Sequence, residues 1–169
     1  SMTNRNFRQI INLLDLRWQR RVPVIHQTET AECGLACLAM ICGHFGKNID
    51  LIYLRRKFNL SARGATLAGI NGIAEQLGMA TRALSLELDE LRVLKTPCIL
   101  HWDFSHFVVL VSVKRNRYVL HDPARGIRYI SREEMSRYFT GVALEVWPGS
   151  EFQSETLQTR ISLRSLINS

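Results

Sequence analysis

A nearly continuous apolar segment that begins at Cys33 constrains the fold of this chain more than any other feature. From Leu35 to Ile41 every position is a leucine, alanine, cysteine, methionine or isoleucine. A helix of this composition has no polar face to turn toward solvent, so we expect it to pass through the protein core. Packing on all sides would hold Cys33, its first residue, rigidly in place. The backbone N–H groups and the dipole at a helix N-terminus favour a thiolate over a thiol at that position.

Gln27 lies six residues before Cys33, which is the spacing of an oxyanion donor ahead of a nucleophile. The Gln27 side-chain amide and the backbone N–H of Cys33 could together reach the oxygen of a tetrahedral intermediate. Gly34, next to the thiol, would leave room for a substrate backbone to approach. These three residues predict a cysteine nucleophile that attacks a carbonyl carbon.

Two later segments supply candidates for a base and its partner. His106 begins a β-branched run that predicts a buried strand, and Asp122 ends a shorter strand that Pro123 terminates. His106 would accept the thiol proton and return it to the leaving amine, which calls for a pKa near the working pH. Asp122 would fix the tautomer of the imidazole.

The turn between these two strands decides whether His106 and Asp122 share a face of the sheet. We predict a three-residue loop at 114–116 with Asn116 in the left-handed conformation, which puts Val108 opposite Asp122. Asp122 then lies on the face of His106. A loop with an even number of residues would send the carboxylate to the opposite face, because side-chain direction in a strand has a period of two.

These residues resemble the bacteriocin-processing cysteine peptidases, which are papain-like domains at the N-terminus of peptidase-containing ABC exporters. The resemblance rests on Gln-x4-Glu-Cys-Gly-Leu-Ala-Cys-Leu-Ala-Met from Gln27, on His-Phe-Val-Val-Leu from His106, and on His-Asp-Pro from His121. In order and spacing it covers the chain from about Val22 to Trp147. Carried over by position, it implies the following roles: Cys33 as nucleophile, His106 as general base and acid, Asp122 as orienting carboxylate and Gln27 as oxyanion donor.

The resemblance also implies an α+β, papain-like fold, with N-terminal helices packed on an antiparallel β-sheet. The expected activity is removal of double-glycine leader peptides from bacteriocin precursors, coupled to export and without a cofactor. Trp102 and Asp103 are candidates for the wall of a narrow substrate groove. The region from Tyr53 to Ile70 is a candidate surface for docking an amphipathic leader helix. The other partners would be the membrane and ATP-binding domains of the same full-length exporter, at the cytoplasmic side of the bacterial inner membrane.

The length and composition fit one compact domain with extensions at both ends. A chain of 169 residues with 46% hydrophobic content can bury a substantial core. We expect an N-terminal extension at 1–21 with an amphipathic helix from Phe7 to Leu16, a peptidase domain at 22–147, and at 148–169 a loose linker toward a membrane domain. The sequence contains neither an apolar run of ~18 residues nor a Gly-x4-Gly-Lys-Ser/Thr phosphate loop.

Hydrophobic periodicity and turn residues predict the remaining elements. Their order is that of an α+β protein, with the nucleophile on an early helix and the base on a later sheet. The predicted helices are 33–45, 51–58, 66–77 and 131–139, with a short one at 88–94, and the predicted strands are 80–86, 98–102, 106–113, 118–122, 126–130 and 142–147.

Metal and nucleic-acid sites are not expected. Cys33, Cys37 and Cys42 do not have the short paired spacing of structural zinc ligands, and Cys37 and Cys98 look like core residues. The net charge of +7 comes from scattered basic residues without a stacking platform for bases, so it favours proximity to anionic lipid headgroups instead. His101, inside a strand, is the rival of His106 as base but suits a packing role better.

Each candidate residue also has an ordinary structural interpretation. A lone cysteine is usually an inert core residue, and an aspartate before proline commonly begins a turn. The occurrence of Gln, Cys, His and Asp in this order favours the peptidase. Two alternatives stay open: an amidase or acyltransferase that uses the same residues on a papain-like fold, and a non-catalytic leader-binding module, which the presence of Cys33 disfavours.

Overall fold

The computed structural model describes residues 21–60, 64–152 and 156–157, and it has helices packed on an antiparallel sheet. The α+β fold class predicted from the sequence, with N-terminal helices packed on an antiparallel β-sheet, is therefore confirmed. Four α-helices occur in the described ranges, and they are α1 Cys33–His44, α2 Leu51–Phe58, α3 Leu67–Gln76 and α4 Arg132–Tyr138. Two 3-10 segments, Thr30–Glu32 and Leu88–Val93, precede α1 and the second half of the sheet.

The main sheet has six strands in the order β2-β7-β3-β4-β5-β6, and every neighbouring pair is antiparallel. Its strands are β2 Met79–Ser85, β3 Cys98–Trp102, β4 His106–Lys114, β5 Arg117–Asp122, β6 Gly126–Ser131 and β7 Phe139–Pro148. Two short strands, β1 Asn48–Ile49 and β8 Thr156–Leu157, form a separate parallel pair. The predicted helices and strands of the domain are thus confirmed within about two residues at each end, except that β7 begins three residues earlier than predicted and the helix predicted at 88–94 is a 3-10 segment. Strands β1 and β8 were not predicted.

Helix α1 runs through the core, as its composition requires. All residues from Cys33 to Cys42 are buried, and the helix packs across β4 and contacts α2 and α3. A second apolar cluster covers the opposite face of the sheet, beneath α4. The sheet is therefore buried on both faces around its central strands, and the N-terminus of α1 is held by packing.

The β4-β5 hairpin reaches the predicted register by a different route. Lys114 pairs with Arg117, so the loop has two residues, and Arg115 rather than Asn116 has a positive φ of 55°. The predicted three-residue loop is wrong. A β-bulge at Val111 inserts the extra residue within the strand instead, because the register shifts between Leu110 and Ser112.

The bulge at Val111 keeps His106 and Asp122 on one face of the sheet, which the two-residue loop alone would have prevented. Beyond it Val109 pairs with His121, which places Val108 opposite Asp122. The packing shows the same change of face, because Val111 contacts the core around α1 whereas Val113 contacts the cluster on the other face. His106 and Asp122 consequently lie on one face.

The chain stays in contact with the domain beyond β7. The backbone N–H of Gly149 donates to the carbonyl of Gly78 at 2.9 Å, and Phe152 packs against the core with Lys47 over its ring. A loose linker had been expected from 148. The helix predicted from Phe7 to Leu16 lies outside the described residues, and the domain boundaries remain predictions. No helix in the described ranges combines the length and the apolar character needed to cross a bilayer.

Candidate active site

Cys33 is the first residue of α1 and is 6% exposed. The 3-10 turn Thr30–Glu32 runs directly into the helix, so the thiol lies at a junction between two helical segments. The segment from Gln27 to Cys33 therefore forms a compact turn, and the way in which this turn is held decides where the sulfur points.

Glu32 holds that turn together, a role that sequence reasoning missed although the residue stands in the motif. Its Oε2 accepts hydrogen bonds from the backbone N–H of Thr28 at 3.1 Å, the hydroxyl of Thr28 at 2.7 Å and the backbone N–H of Glu29 at 3.2 Å. Its Oε1 pairs with Arg55 of α2. Burial acts to raise the pKa of Glu32, but hydrogen bonds from Arg55, Thr28 and Glu29 lower it from 4.5 to about 2.

Replacing Glu32 with glutamine is expected to destabilise the fold and to slow the reaction. The neutral amide weakens the bonds to Thr28 and to Arg55, at a cost of roughly 1–3 kcal/mol in the free energy of unfolding. Because the pKa of Glu32 is lowered, its contribution is complete above pH 4.5 and is lost as the pH falls toward 2. Urea denaturation at several pH values would measure this loss. Glu75→Gln, at an exposed carboxylate on α3, is the control and should leave stability within about 0.5 kcal/mol.

His106 and Asp122 form the central contact of the site. His106 Nε2 lies 2.8 Å from Asp122 Oδ1, and that oxygen also accepts the backbone N–H of Ala124 at 2.8 Å. Asp122 is almost fully buried and His106 is one-fifth exposed. Burial acts to raise the pKa of Asp122, but hydrogen bonds from His106 and Ala124, with the charges of His106 and Arg128, lower it. The carboxylate is therefore ionised beside the imidazole.

Cys33 also acts on His106, since interaction with the thiol contributes to raising the pKa of the imidazole. Since Nε2 is used by Asp122, Nδ1 is the ring nitrogen left to interact with Cys33. Burial acts to lower the pKa of His106, but the hydrogen bonds to Asp122 and Cys33 and their charges raise it from 6.5 to about 9. The ring therefore binds a proton more readily than a free imidazole does, as an acceptor of the thiol proton must.

The raised pKa of His106 predicts an alkaline limit to activity near pH 9. The imidazolium stabilises the fold fully below pH 6.5 and loses that effect as the pH rises through about 9, and above this value the ring has no proton to give. The rate of peptide cleavage, measured against pH, should fall there, whereas the rate of Cys33 alkylation by iodoacetamide, which needs a thiolate but no proton donor, should not. Circular dichroism at each pH separates this fall from unfolding. A limb near pH 6.5 would contradict the prediction.

Gln27 is held beside this pair by its backbone. Its N–H donates to the carbonyl of Pro123 at 2.9 Å, and its side chain lines a pocket together with His106 and Asp122. Among the described residues, Gln27 Oε1 is buried and has no hydrogen-bond partner. Rotation about the last side-chain bond exchanges the oxygen and the nitrogen of an amide, so either can face the pocket.

The same pocket, about 360 Å³ in volume, receives the two residues predicted to wall the groove. Trp102 is largely buried and stacks on Tyr138, with ring centroids 5.6 Å apart. Asp103 is exposed, has a positive φ of 49° and donates its N–H to the carbonyl of Tyr138 at 2.8 Å. Trp102 thus contributes chiefly an apolar wall, and Asp103 contributes charge at the rim.

Gly34 has a different role from the one expected. A Cβ at this position would lie 2.8 Å from Cδ1 of Ile70 and 3.4 Å from the Cβ of Ala65. The missing side chain therefore lets α1 and α3 approach each other, and the prediction that it makes room for a substrate backbone is wrong.

The other cysteines and the rival histidine lie where packing would place them. Cys37 and Cys98 are fully buried, and burial raises the pKa of both thiols. His101 Nδ1 lies 2.9 Å from the hydroxyl of Thr140, and its ring contacts Phe107. Over the described part of the chain, no group of three or more His, Cys, Asp or Glu side chains could hold a metal ion.

Known proteins share this fold and sequence. The Peptidase C39 family matches residues 21–151. The chain is 89% identical over 168 residues to the probable microcin-H47 secretion/processing ATP-binding protein MchF of Escherichia coli, which covers 99% of this chain and 24% of the relative. It is 31% identical to the lactococcin-G-processing and transport ATP-binding protein LagD of Lactococcus lactis subsp. lactis, over 77% of this chain and 19% of the relative.

Solved structures agree with the curated relatives. A double glycine motif protease from an AMS/PCAT transporter, crystallised in complex with the leader peptide, has a TM-score of 0.72 and 36% identity, covering 76% of this chain and 93% of that one. The peptidase domain of Streptococcus ComA has a TM-score of 0.70 and 27% identity, covering 76% of this chain and 99% of that one. The chain thus spans about a quarter or less of the curated transporters and nearly all of these peptidase domains. It belongs to the Peptidase C39 family of cysteine peptidases.

Proposed function

We propose that this domain cleaves the peptide bond that follows a double-glycine leader in a bacteriocin precursor, with Cys33, His106, Asp122 and Gln27 as its catalytic residues. The observation that carries the proposal is the single imidazole of His106, whose Nε2 lies 2.8 Å from Asp122 Oδ1 and whose pKa is raised by both Asp122 and Cys33. The names of the relatives, which describe processing and transport of microcin H47 and lactococcin G, support the substrate class.

The reaction begins with transfer of the thiol proton to His106. The Cys33 sulfur then attacks the carbonyl carbon before the scissile bond, and the π electrons move to the carbonyl oxygen. The backbone N–H of Cys33 and the side-chain amide of Gln27 donate hydrogen bonds to that oxyanion, and one such donor is commonly worth roughly 3 kcal/mol. The unpartnered end of the Gln27 amide supports this assignment.

Collapse of the tetrahedral intermediate requires an acid. His106 gives its proton to the leaving nitrogen, the C–N bond breaks, and the mature peptide leaves with a free amine while the leader remains as a thioester on Cys33. Water then attacks the thioester, His106 accepts its proton, and the C–S bond breaks to release the leader carboxylate. Asp122 keeps one nitrogen of His106 engaged, so that the other always faces the sulfur.

Leader recognition requires a surface outside the reacting groups. We place it on the region from Tyr53 to Ile70, where Tyr53, Leu60 and Leu67 are only partly buried against the core. Beside it, a cleft of about 460 Å³ between α3 and β2 is lined in part by Leu67, Ala68 and Ala83. Such a surface suits the apolar face of an amphipathic helix, whereas Trp102 and Asp103 would contact the chain near the scissile bond.

The partners and the location follow from the transporter relatives. We propose that the domain works as part of a full-length exporter, joined to its membrane and ATP-binding domains at the cytoplasmic side of the bacterial inner membrane. The net charge of +7 suits a place near anionic headgroups, and nucleic acid is not a proposed partner.

The test is incubation with a synthetic precursor that carries a double-glycine site, followed by mass spectrometry of the products. The matched control substrate has both glycines replaced by alanine. A single cut after the second glycine, absent from the control, supports the proposal. Transfer of the leader to an added amine without hydrolysis would identify the acyltransferase, and binding without any cut would identify the leader-binding module.

A further inference from the structure

Arg128 makes a contact to Asp122 that is independent of His106. Its Nη1 lies 3.4 Å from Asp122 Oδ2, whereas Oδ1 is used by His106 and by the backbone N–H of Ala124. Both oxygens of the carboxylate are therefore engaged, which restricts rotation of the carboxylate plane.

The sheet brings Arg128 to this place through its register. Arg128 on β6 pairs with Leu120 on β5, two residues from Asp122, so the three side chains lie on the same face. A diagonal neighbour on an adjacent strand is within reach of a long side chain. Arg128 is only 17% exposed, which removes much of the solvent screening that weakens surface ion pairs.

Arg128 is held in turn by α4. Its Nη2 lies 2.9 Å from Oε1 of Glu134, and the backbone N–H of Glu134 donates to the hydroxyl of Ser131, the N-cap of the helix. Charges alternate along the series His106, Asp122, Arg128 and Glu134. The other charged groups that line the pocket are Asp103 and Arg125.

We propose that Arg128 is a positioning residue for the reaction: it fixes the orientation of the Asp122 carboxylate toward His106, and Glu134 fixes Arg128. This inference rests on the proposed function, because it assigns a role to the support of Asp122. The two separate N–H groups of Arg128 contact the two carboxylates, a geometry that suits a guanidinium.

The experiment compares Arg128→Met, Arg128→Lys and Glu134→Gln with the wild-type chain on a double-glycine precursor peptide. Arg128→Met should lower kcat by about tenfold and change KM by less than about twofold, because it removes one charged hydrogen bond from Asp122 and no substrate contact. Arg128→Lys should restore part of the loss, since it keeps the charge. Arg132→Met is the control. It also removes an arginine that pairs with a carboxylate, but this pair with Asp89 is exposed and lies outside the pocket.

Several results would overturn the inference. These are wild-type kcat in Arg128→Met, an equal loss in Arg128→Lys, or a loss that appears only in KM. Should Arg128→Met not fold, Glu134→Gln decides: a fall in kcat of about twofold or more supports the inference, and an unchanged kcat overturns it.

Alkylation of Cys33 by iodoacetamide separates this inference from the proposed function, because it needs the imidazole but no peptide. Slower alkylation in Arg128→Met than in the wild type supports the role of Arg128 even if no double-glycine peptide is cut. Cleavage by the wild type, together with unchanged alkylation and kcat in Arg128→Met, refutes the inference alone. The Cys33→Ala variant gives the background rate of alkylation at the other, buried cysteines.

Discussion

Replacing Cys33 with alanine is expected to abolish cleavage completely while the domain still folds and still binds the leader. In the proposed mechanism the Cys33 sulfur is the atom that bonds to the carbonyl carbon, and alanine has no nucleophile to replace it. Alanine has the highest helix propensity and removes only one atom from a position that is 6% exposed. Mass spectrometry measures cleavage, thermal denaturation measures folding, and fluorescence anisotropy of a labelled leader measures binding.

Cys37→Ala is the matched control, since Cys37 lies one helical turn later in the same helix and is fully buried. Removal of the Cys37 sulfur leaves a small cavity and should lower the free energy of unfolding by about 1 kcal/mol, while cleavage is preserved. Cleavage that persists in Cys33→Ala at a rate near the wild type would refute the mechanism, whatever the behaviour of Cys37→Ala.

Replacing Asp122 with asparagine is expected to lower kcat on the order of 10²- to 10⁴-fold. The Asp122 carboxylate can only accept from His106 Nε2, so in the proposed mechanism the other ring nitrogen is free to exchange the reacting proton with Cys33. An asparagine amide can instead donate to Nε2, which moves the ring proton to Nδ1 and blocks acceptance of the thiol proton. Steady-state kinetics, with KM within about threefold of the wild type, would show that the effect falls on chemistry rather than on binding.

Asp89→Asn is the control for Asp122→Asn. Asp89 pairs with Arg132 at the surface, where its side chain is 70% exposed, and its loss should leave kcat unchanged. An Asp122→Asn variant with wild-type kcat would show that the carboxylate does not orient His106. It would leave the nucleophilic role of Cys33 intact, so the two predictions are independent.

The sequence predicted elements whose residues repeat a strong pattern. The all-apolar α1, the β-branched β4 and the polar turn after it carry their signals locally, so their limits could be predicted within about two residues. Cys33, His106 and Asp122 could be selected because each stands at the end of such an element. Whether His106 and Asp122 meet depends on the register of the β4-β5 hairpin. No local sequence pattern indicates that register, so it could be predicted only by requiring that both side chains lie on one face of the sheet.

The features that sequence reasoning missed depend on contacts between distant parts of the chain. Glu32 holds the turn ahead of Cys33 only because α2 brings Arg55 to it, and Arg128 reaches Asp122 only through the pairing of β5 with β6. Gly34 was interpreted wrongly because Ile70, its neighbour, is far along the chain. Long-range geometry of this kind has no periodic signal in a single sequence.

The bulge at Val111 gives the hairpin a tolerance to changes of length. Without this spare residue, Leu110 could still pair with Leu120 and Lys114 with Arg117, now in an uninterrupted ladder, and the base and its carboxylate would still face each other. Natural variants of this domain could therefore lose one residue between His106 and Asp122 without disabling the enzyme. Fixed spacing between those two positions is then a poor criterion for recognising distant active relatives, whereas the pairing of the strands is a sound one.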